Sequence, residues 1–230
     1  MNFDNDKEIK SIFGLSSSLA ELDSSSLMAI TRAAVRRSYR KGEIVCLEGQ
    51  ACLGLIIVES GWLSSVKISP KGREQEIRLT GPGDIANIIS TMTGDLNLVT
   101  LKTLEDAKLW IIDRKKLFEL MAEYPGLGNF ITQKMANVIV QLLNLVEDLS
   151  LRNVEGRLAN LLLTRSKDGV VHRKEWSTQE QMAASIGTTS VVLSRILNEM
   201  QNQGAISIDR HEIQILDYEI LETTVFLNNK

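Results

Sequence analysis

One face of a predicted helix near the C-terminus carries side chains of the types that read the edges of DNA bases. The residues on this face are Ser190, Val191, Ser194, Arg195 and Asn198. Arginine pairs with guanine, serine and asparagine form adaptable hydrogen bonds, and valine contacts the methyl group of thymine. The spacing therefore predicts a recognition surface for double-stranded DNA.

The segments around this helix follow the order of a winged helix-turn-helix. A capping box of Ser177 and Glu180 predicts the start of a preceding helix over 179–186, and Gly187 suits a tight turn with a positive φ angle. An apolar hairpin follows at 206–215. Two helices, a short turn and a hairpin are typical of DNA-binding domains. A plain helical hairpin with a solvated polar face is the alternative.

Phosphate contacts are expected at helix starts because this region is not basic. From residue 150 onwards there are nine Lys and Arg residues against ten Asp and Glu residues, and the chain has a net charge of −3. Backbone N–H groups at a helix start hold phosphates, and further basic candidates are Arg165, Lys167, Arg173 and Lys174. The expected DNA contacts are Thr178, Gln179, Thr188, Thr189, Ser190, Val191, Ser194, Arg195 and Asn198.

Residues from about 40 to 113 have the pattern of a β domain. Glycine occurs eight times in this region, and strand-like runs such as 55–58, 76–79 and 108–112 lie between the turns. Short β segments with a turn signal roughly every ten residues predict a sandwich or a barrel.

A long helix is predicted over residues 126–150, between the β region and the DNA-reading region. Its apolar residues repeat with the 3.5-residue period of a coiled coil. They are Ile131, Met135, Val138, Leu142, Leu145 and Leu149. Such a narrow stripe predicts a seam with a second copy of the chain, and packing against the chain's own β domain is the alternative.

The composition argues against a membrane protein and against most catalytic centres. No apolar run approaches the roughly 20 residues of a membrane span, and the N-terminus is acidic rather than signal-like, so we expect a cytoplasmic protein. The chain has two cysteines and two histidines, too few for a Cys/His metal cluster or a multi-histidine centre. We therefore expect neither a metal site nor an enzyme.

The order of short motifs resembles that of the CRP/FNR superfamily of transcriptional regulators (cyclic-AMP receptor protein and fumarate–nitrate regulator). The resemblance covers about residues 12–218. Its motifs include Lys41-Gly42-Glu43-Ile44, Gly81-Pro82-Gly83-Asp84, Ile112-Asp113-Arg114, Gln181-Met182-Ala183 and Ser194-Arg195-Ile196-Leu197. It implies an α+β fold: a jelly-roll β-roll sensor, similar to cyclic-nucleotide-binding domains, over 1–123, a dimerisation helix over 124–151 and a winged helix-turn-helix over 152–230. It also implies a homodimer on promoter DNA, with RNA polymerase as a partner if the protein is an activator.

The chain departs from this resemblance at the sensor and at one reading position. The resemblance places an effector at Gly83, Asp84, Ile85, Ala86 and Asn87. In the similar family members that bind cyclic nucleotides, a glutamate stands at the position of Asp84 and an arginine further along binds the phosphate. Residues 87–101 of this chain contain no arginine. An unpaired anion in a half-buried pocket is costly, so cyclic AMP is not expected. Val191 replaces a glutamate of many members, so the operator should differ at that base pair.

Other sensing chemistries are also constrained by the sequence. Iron–sulfur sensing of the family's kind needs four cysteines, and the β region has no histidine for a haem, so no cofactor is predicted. Cys46 and Cys52 are expected to be small buried residues, with a redox pair as the alternative. A small organic effector and an effectorless regulator both remain open. The rival function is a ligand-binding module that acts on a protein partner rather than on DNA.

Overall fold

The computed structural model describes residue 19 and residues 21–172 and 178–226, which form two units. The first unit comprises residues 1–67 and 78–141, and the second comprises 68–77 and 142–230. Ser177 of the expected capping box and the basic residues Arg173 and Lys174 lie outside the described residues.

The first unit is built on two antiparallel four-stranded sheets. Its helices are α1 (Ser24–Ala33), α2 (Ile88–Thr93) and α3 (Arg114–Glu123). The strands are β1 (Val35–Tyr39), β2 (Ile44–Cys46), β3 (Leu55–Ser60), β4 (Leu63–Ile68), β5 (Glu74–Thr80), β6 (Ile85–Ala86), β7 (Thr100–Thr103) and β8 (Ala107–Ile112). The strand orders are β1-β8-β3-β6 and β2-β7-β4-β5.

The continuous apolar run at residues 55–58 lies in strand β3, which is covered on both faces. Ile56 and Val58 point into a core shared with Leu63 and Leu101 of the other sheet. Leu55 and Ile57, on the opposite face, pack beneath helices. Because side chains alternate along a strand, a strand covered on both faces is apolar where it is covered, here over residues 55–58, and polar only at its end.

Helix α4 (Pro125–Leu151) begins in the core of the first unit and continues into the second. Proline suits the first helical position because the N–H that it lacks would have no partner there. Leu127, Phe130 and Ile131 are buried among the side chains of the first unit. The model therefore confirms one long helix at the predicted place.

The second unit contains three helices, a three-stranded sheet and a C-terminal helix. The elements are α5 (Val154–Arg165), β9 (Val170–His172), α6 (Gln179–Ser185), α7 (Ser190–Asn202), β10 (Ile206–Ile208), β11 (Glu212–Ile215) and α8 (Tyr218–Phe226). The strand order is β10-β11-β9, all antiparallel. The helix-turn-helix and wing order is thus present, with β9 as a third strand that sequence patterning did not indicate.

Side-chain caps fix where the helices of this unit start. Asn153 accepts from the Gly156 amide at 2.7 Å, and the hydroxyl of Thr178 accepts from the Gln181 amide at 3.2 Å. Such caps satisfy N–H groups that have no partner within the helix. Thr178 is the N-cap of α6, one residue later than the expected capping box. Over the described ranges, no helix is long and apolar enough to cross a membrane.

Candidate nucleic-acid interface

Helix α7 separates a buried face from an exposed face, as its sequence predicts. Leu193, Ile196 and Met200 are buried in the core of the second unit. On the opposite side Val191 is 80% exposed, and Arg195 and Asn198 are exposed as well. An apolar side chain this open to solvent on a polar face is available for a thymine methyl group.

The remaining expected contacts surround this face. Ser190 and Ser194 are half-buried on α7, Thr188 is half-buried in the preceding turn, and Thr178, Gln179 and Thr189 are exposed at the starts of the two helices. The hydroxyl of Thr189 accepts from the Val192 amide at 3.4 Å, so this side chain serves the helix start. The nine expected residues therefore lie on α6, on α7, at the two helix starts and in the turn between the helices.

Arg195 is held in an ion pair on the surface of α7. Its Nη1 donates to Oε1 of Glu199, four residues later, at 2.8 Å. The side chains of Arg195 and Glu199 are 61% and 43% exposed. Exposed pairs of this kind contribute only about 0.2–1 kcal/mol, so the guanidinium can exchange this carboxylate for a base edge or a phosphate at little cost.

The hairpin segment, residues 68–77, packs in the second unit against the helix-turn-helix. Gln75 Nε2 donates to the Ala184 carbonyl at 3.3 Å, and Arg73 Nη2 donates to the Gly187 carbonyl. Gln181 Nε2 donates to Oε2 of Glu76, whose side chain is only 5% exposed. Sequence reasoning missed these contacts because the segment reads as an ordinary polar hairpin.

Two cations bind the carbonyls at the end of α6. Besides the bond from Arg73, Arg157 Nε donates to the Ile186 carbonyl at 2.8 Å. Burial lowers the pKa of Arg157, and the nearby charge of Arg73 lowers it further. Cations are favoured at a helix C-terminus because the carbonyls there carry partial negative charge, and Gly187, with φ of +65°, provides the left-handed turn that follows.

Arg165, a candidate phosphate contact, lies beside a buried carboxylate, and its phosphate contact stays a prediction. Its Nη2 lies 3.6 Å from Oε1 of Glu76, and its side chain is 31% exposed. Burial lowers the pKa of Arg165, and the charge of Glu76 opposes this shift. The guanidinium faces a buried carboxylate inside the unit, which would compete with a phosphate for it. Lys167 forms a backbone bridge with Val170, and its phosphate contact stays a prediction.

The residues of the expected effector segment, 83–87, differ in what they contact. Gly83 and Ala86 are buried and bond into the sheet, and the amide of Asn87 donates to the Gly54 carbonyl and to Oδ1 of Asn97, both at 3.1 Å. Asp84 and Ile85 of the segment line a cavity of the first unit. The placement of an effector at Gly83, Asp84, Ile85, Ala86 and Asn87 stays a prediction.

The apolar stripe expected as a seam on α4 has a buried half and an exposed half. Ile131 is fully buried, and Met135 and Val138 pack against the core of the first unit, so this half follows the alternative that was left open. Leu145 is half-buried, and Leu142 and Leu149 are exposed. The outward-facing repeat is Ile139, Leu142, Val146 and Leu149, with spacings of three and four. Ile139 and Val146, 52% and 59% exposed, were missed.

Both cysteines are free thiols. Cys46 is buried in β2, and Cys52 is half-buried beside the amide of Asn87, with Nδ2 and Sγ 3.4 Å apart. Among the described residues, no cluster of three or more His, Cys, Asp or Glu side chains could hold a metal ion.

Comparisons with known proteins agree with this arrangement of two units. Residues 36–124 match the cyclic nucleotide-binding domain, and residues 156–224 match the Crp-like helix-turn-helix domain. The chain is 23% identical over 206 residues to the CRP-like cAMP-activated global transcriptional regulator of Mycobacterium tuberculosis (strain CDC 1551 / Oshkosh), covering 87% of this chain and 92% of that protein. It is 27% identical over 194 residues to the fumarate and nitrate reduction regulatory protein of Vibrio cholerae, covering 81% and 77%.

A solved structure extends the likeness to the fold. The structure of a CRP/FNR-family transcriptional regulator from Thermus thermophilus superposes with a TM-score of 0.66 at 18% identity, covering 83% of this chain and 98% of that one. A sensor-type β domain joined to a Crp-like helix-turn-helix defines a DNA-binding transcriptional regulator. The chain belongs to the CRP/FNR type of these regulators, which confirms the family and fold class that its motifs predict.

Proposed function

We propose that two copies of this chain bind promoter DNA together and place their α7 helices in successive major grooves. The observation that carries this proposal is the exposed face of α7, where Val191, Arg195 and Asn198 are open to solvent. Recognition helices of paired helix-turn-helix domains enter grooves about 34 Å apart. The operator is therefore expected to be a palindrome.

The outward-facing repeat on α4 supports the dimer. Exposed apolar side chains at alternating spacings of four and three form the seam of a two-stranded coiled coil. Ile139, Val146 and Leu149 present such a seam in the single chain. Pairing along it removes these side chains from water.

A signal in the first unit would set the affinity for DNA, and the protein would act in the cytoplasm without catalytic activity. The named relatives, which are transcriptional regulators, support this proposal. Cyclic AMP is not proposed as the signal, because residues 87–101 contain no arginine to pair its phosphate. RNA polymerase is the expected further partner if the protein activates transcription.

The test is binding to DNA from upstream of the protein's own gene, measured by fluorescence anisotropy at low salt, with a scrambled duplex as control. Saturable binding that prefers the upstream duplex supports the proposal. No binding at low salt, with or without small anions, would favour regulation of a protein partner instead. The slightly acidic charge of the C-terminal region makes this second outcome a real alternative.

A further inference from the structure

The most exposed charges of the hairpin segment, residues 68–77, are positive. Lys71 and Arg73 are exposed, whereas Glu74 is half-buried and Glu76 is buried. The two pairs of charges cancel in the sequence, but the cations are the pair that is more open to solvent. The tip of the hairpin, residues 69–73, therefore presents positive charge on the second unit.

Backbone hydrogen bonds hold this tip as a tight turn. The Ser69 amide donates to the Arg73 carbonyl at 2.9 Å, and the Gly72 amide donates to the Ser69 carbonyl at 2.8 Å. The backbone that carries Lys71 and Arg73 is thus ordered before any ligand arrives. Such pre-organisation lowers the entropic cost of binding.

Arg73 places this positive charge beside the turn that leads into α7. Its Nη2 donates to the Gly187 carbonyl. This carbonyl belongs to the peptide group that joins Gly187 to Thr188, one of the expected DNA contacts. A guanidinium has five N–H donors in a planar fork, and the bond to Gly187 uses one of them.

The hairpin reaches the edge of the reading face without covering it. Val191 is 80% exposed, and Thr189, Arg195 and Asn198 are exposed as well. A helix in the major groove has a sugar-phosphate backbone on each side of it, because the groove is only about 12 Å wide. A duplex seated on α7 is therefore expected to bring backbone phosphates towards the hairpin tip.

A second cation near Arg73 strengthens the attraction for an anion. Arg157 Nε donates to the neighbouring Ile186 carbonyl at 2.8 Å. Burial lowers the pKa of Arg157, the charge of Arg73 lowers it further, and the charge of Asp148 opposes the shift. Two guanidinium groups that repel each other in this way both stabilise an anion placed beside them.

We propose that the hairpin tip is an additional DNA-binding element, in which Lys71 and Arg73 bind backbone phosphates beside the groove that α7 enters. A guanidinium matches a phosphate with two parallel hydrogen bonds, and an ammonium adds a point charge. Residues from 150 onwards carry nine basic and ten acidic side chains, so cations from an earlier part of the chain would supply attraction that this region lacks. The inference rests on the proposed function, because it requires α7 in the groove.

The test measures the salt dependence of DNA binding by the full chain, with the upstream duplex and the scrambled duplex. Each phosphate contact makes log affinity fall more steeply with log salt concentration, by about 0.9 in slope. Lys71→Met should therefore reduce the slope by about one. It should weaken binding to both duplexes by the same factor, about five- to tenfold at about 0.1 M salt, because phosphates carry no sequence information.

Two further variants separate charge from structure. Arg73→Gln should change slope and affinity in the same direction, although glutamine keeps an N–H donor for the Gly187 carbonyl. Lys115→Met, which removes an exposed lysine of α3 in the first unit, is the matched control and should bind as the unchanged chain does. Circular dichroism accompanies each variant, and Lys71→Met carries the test alone if Arg73→Gln misfolds.

Two outcomes overturn the inference. One is an unaltered salt slope in Lys71→Met, because no phosphate contact is then lost. The other is a loss of affinity for the upstream duplex alone, because the hairpin would then act on the shape of α7 rather than on the backbone. Preferential binding of the upstream duplex that does not depend on the tip disproves only this inference, whereas an unchanged chain that binds neither duplex disproves the proposed function as well.

Discussion

The side-chain amide of Gln181 donates a hydrogen bond to the carboxylate of Glu76, 105 positions earlier in the chain. The carboxylate also faces the guanidinium of Arg165 at 3.6 Å. Glu76 lies in the hairpin segment, whereas Gln181 belongs to the first helix of the helix-turn-helix. Within the second unit, the first helix of the helix-turn-helix is therefore held by a carboxylate of the hairpin segment.

We expect Glu76→Ala to destabilise the second unit by about 1–3 kcal/mol, because it leaves a buried amide and a largely buried guanidinium without their acceptor. The partial exposure of Arg165 keeps the effect below that of a fully buried ion pair. Urea unfolding followed by circular dichroism measures the change. Glu222→Ala, which removes an exposed carboxylate from α8, is the control. Equal midpoints for the two variants would contradict a bracing role.

The parts of this site that follow from local periodicity could be predicted from the sequence. The buried face of α7 needs only the spacing of its apolar residues, and the positive φ of Gly187 follows from a turn too tight for a side chain. The bounds of α4 likewise follow from a long apolar stripe that begins after Pro125.

The parts that depend on distant residues could not be predicted. Glu76, Gln181 and Arg165 are polar residues, which sequence patterns place at the surface. Their contacts with one another help to offset the cost of burying them. The burial of the first half of the predicted seam could not be foreseen for a related reason. Ile131 and Val138 fit a coiled-coil period as well as Ile139 and Val146 do. The first pair packs against the core of the first unit, and only the three-dimensional structure shows this contact.

Arg195→Ala should weaken binding to the specific operator by about 1–3 kcal/mol, because Arg195 is the exposed cation on the reading face of α7. Glu199→Gln should instead strengthen binding, because it removes the carboxylate that competes for the guanidinium of Arg195. The gain should be at most about fivefold, because an exposed ion pair contributes only about 0.2–1 kcal/mol. Fluorescence anisotropy with the selected operator measures both. Glu222→Gln makes the same change of charge on α8 and controls for net charge. Unaltered operator affinity in Arg195→Ala would refute the placement of α7 in the groove.

Val146→Asp should convert the dimer into folded monomers, because it puts a charge into an apolar seam that is open in the single chain. Sedimentation velocity measures the state of association, and circular dichroism checks that the helices remain. Asn144→Asp carries the same helix-disfavouring residue two positions away on another face of α4 and should stay dimeric. Should both variants sediment alike, the seam lies elsewhere. Leu142→Asp tests a position that the sequence stripe and the exposed repeat share.

Cys46 should resist alkylation in the folded protein, whereas Cys52 should react. Burial raises the pKa of the Cys46 thiol to about 11, although a hydrogen bond with the Leu101 backbone opposes the shift. At pH 8 about one Cys46 in a thousand is then a thiolate, the form that reacts, and its side chain is also shielded from the reagent. Iodoacetamide labelling followed by peptide mass spectrometry compares the two sites, and Cys52→Ser should remove most of the fast labelling. Denaturing urea, as the control, should equalise the two rates. Faster labelling of Cys46 than of Cys52 in the folded chain would contradict its burial, and an oxidant-induced bond between the two thiols would instead favour the redox pair.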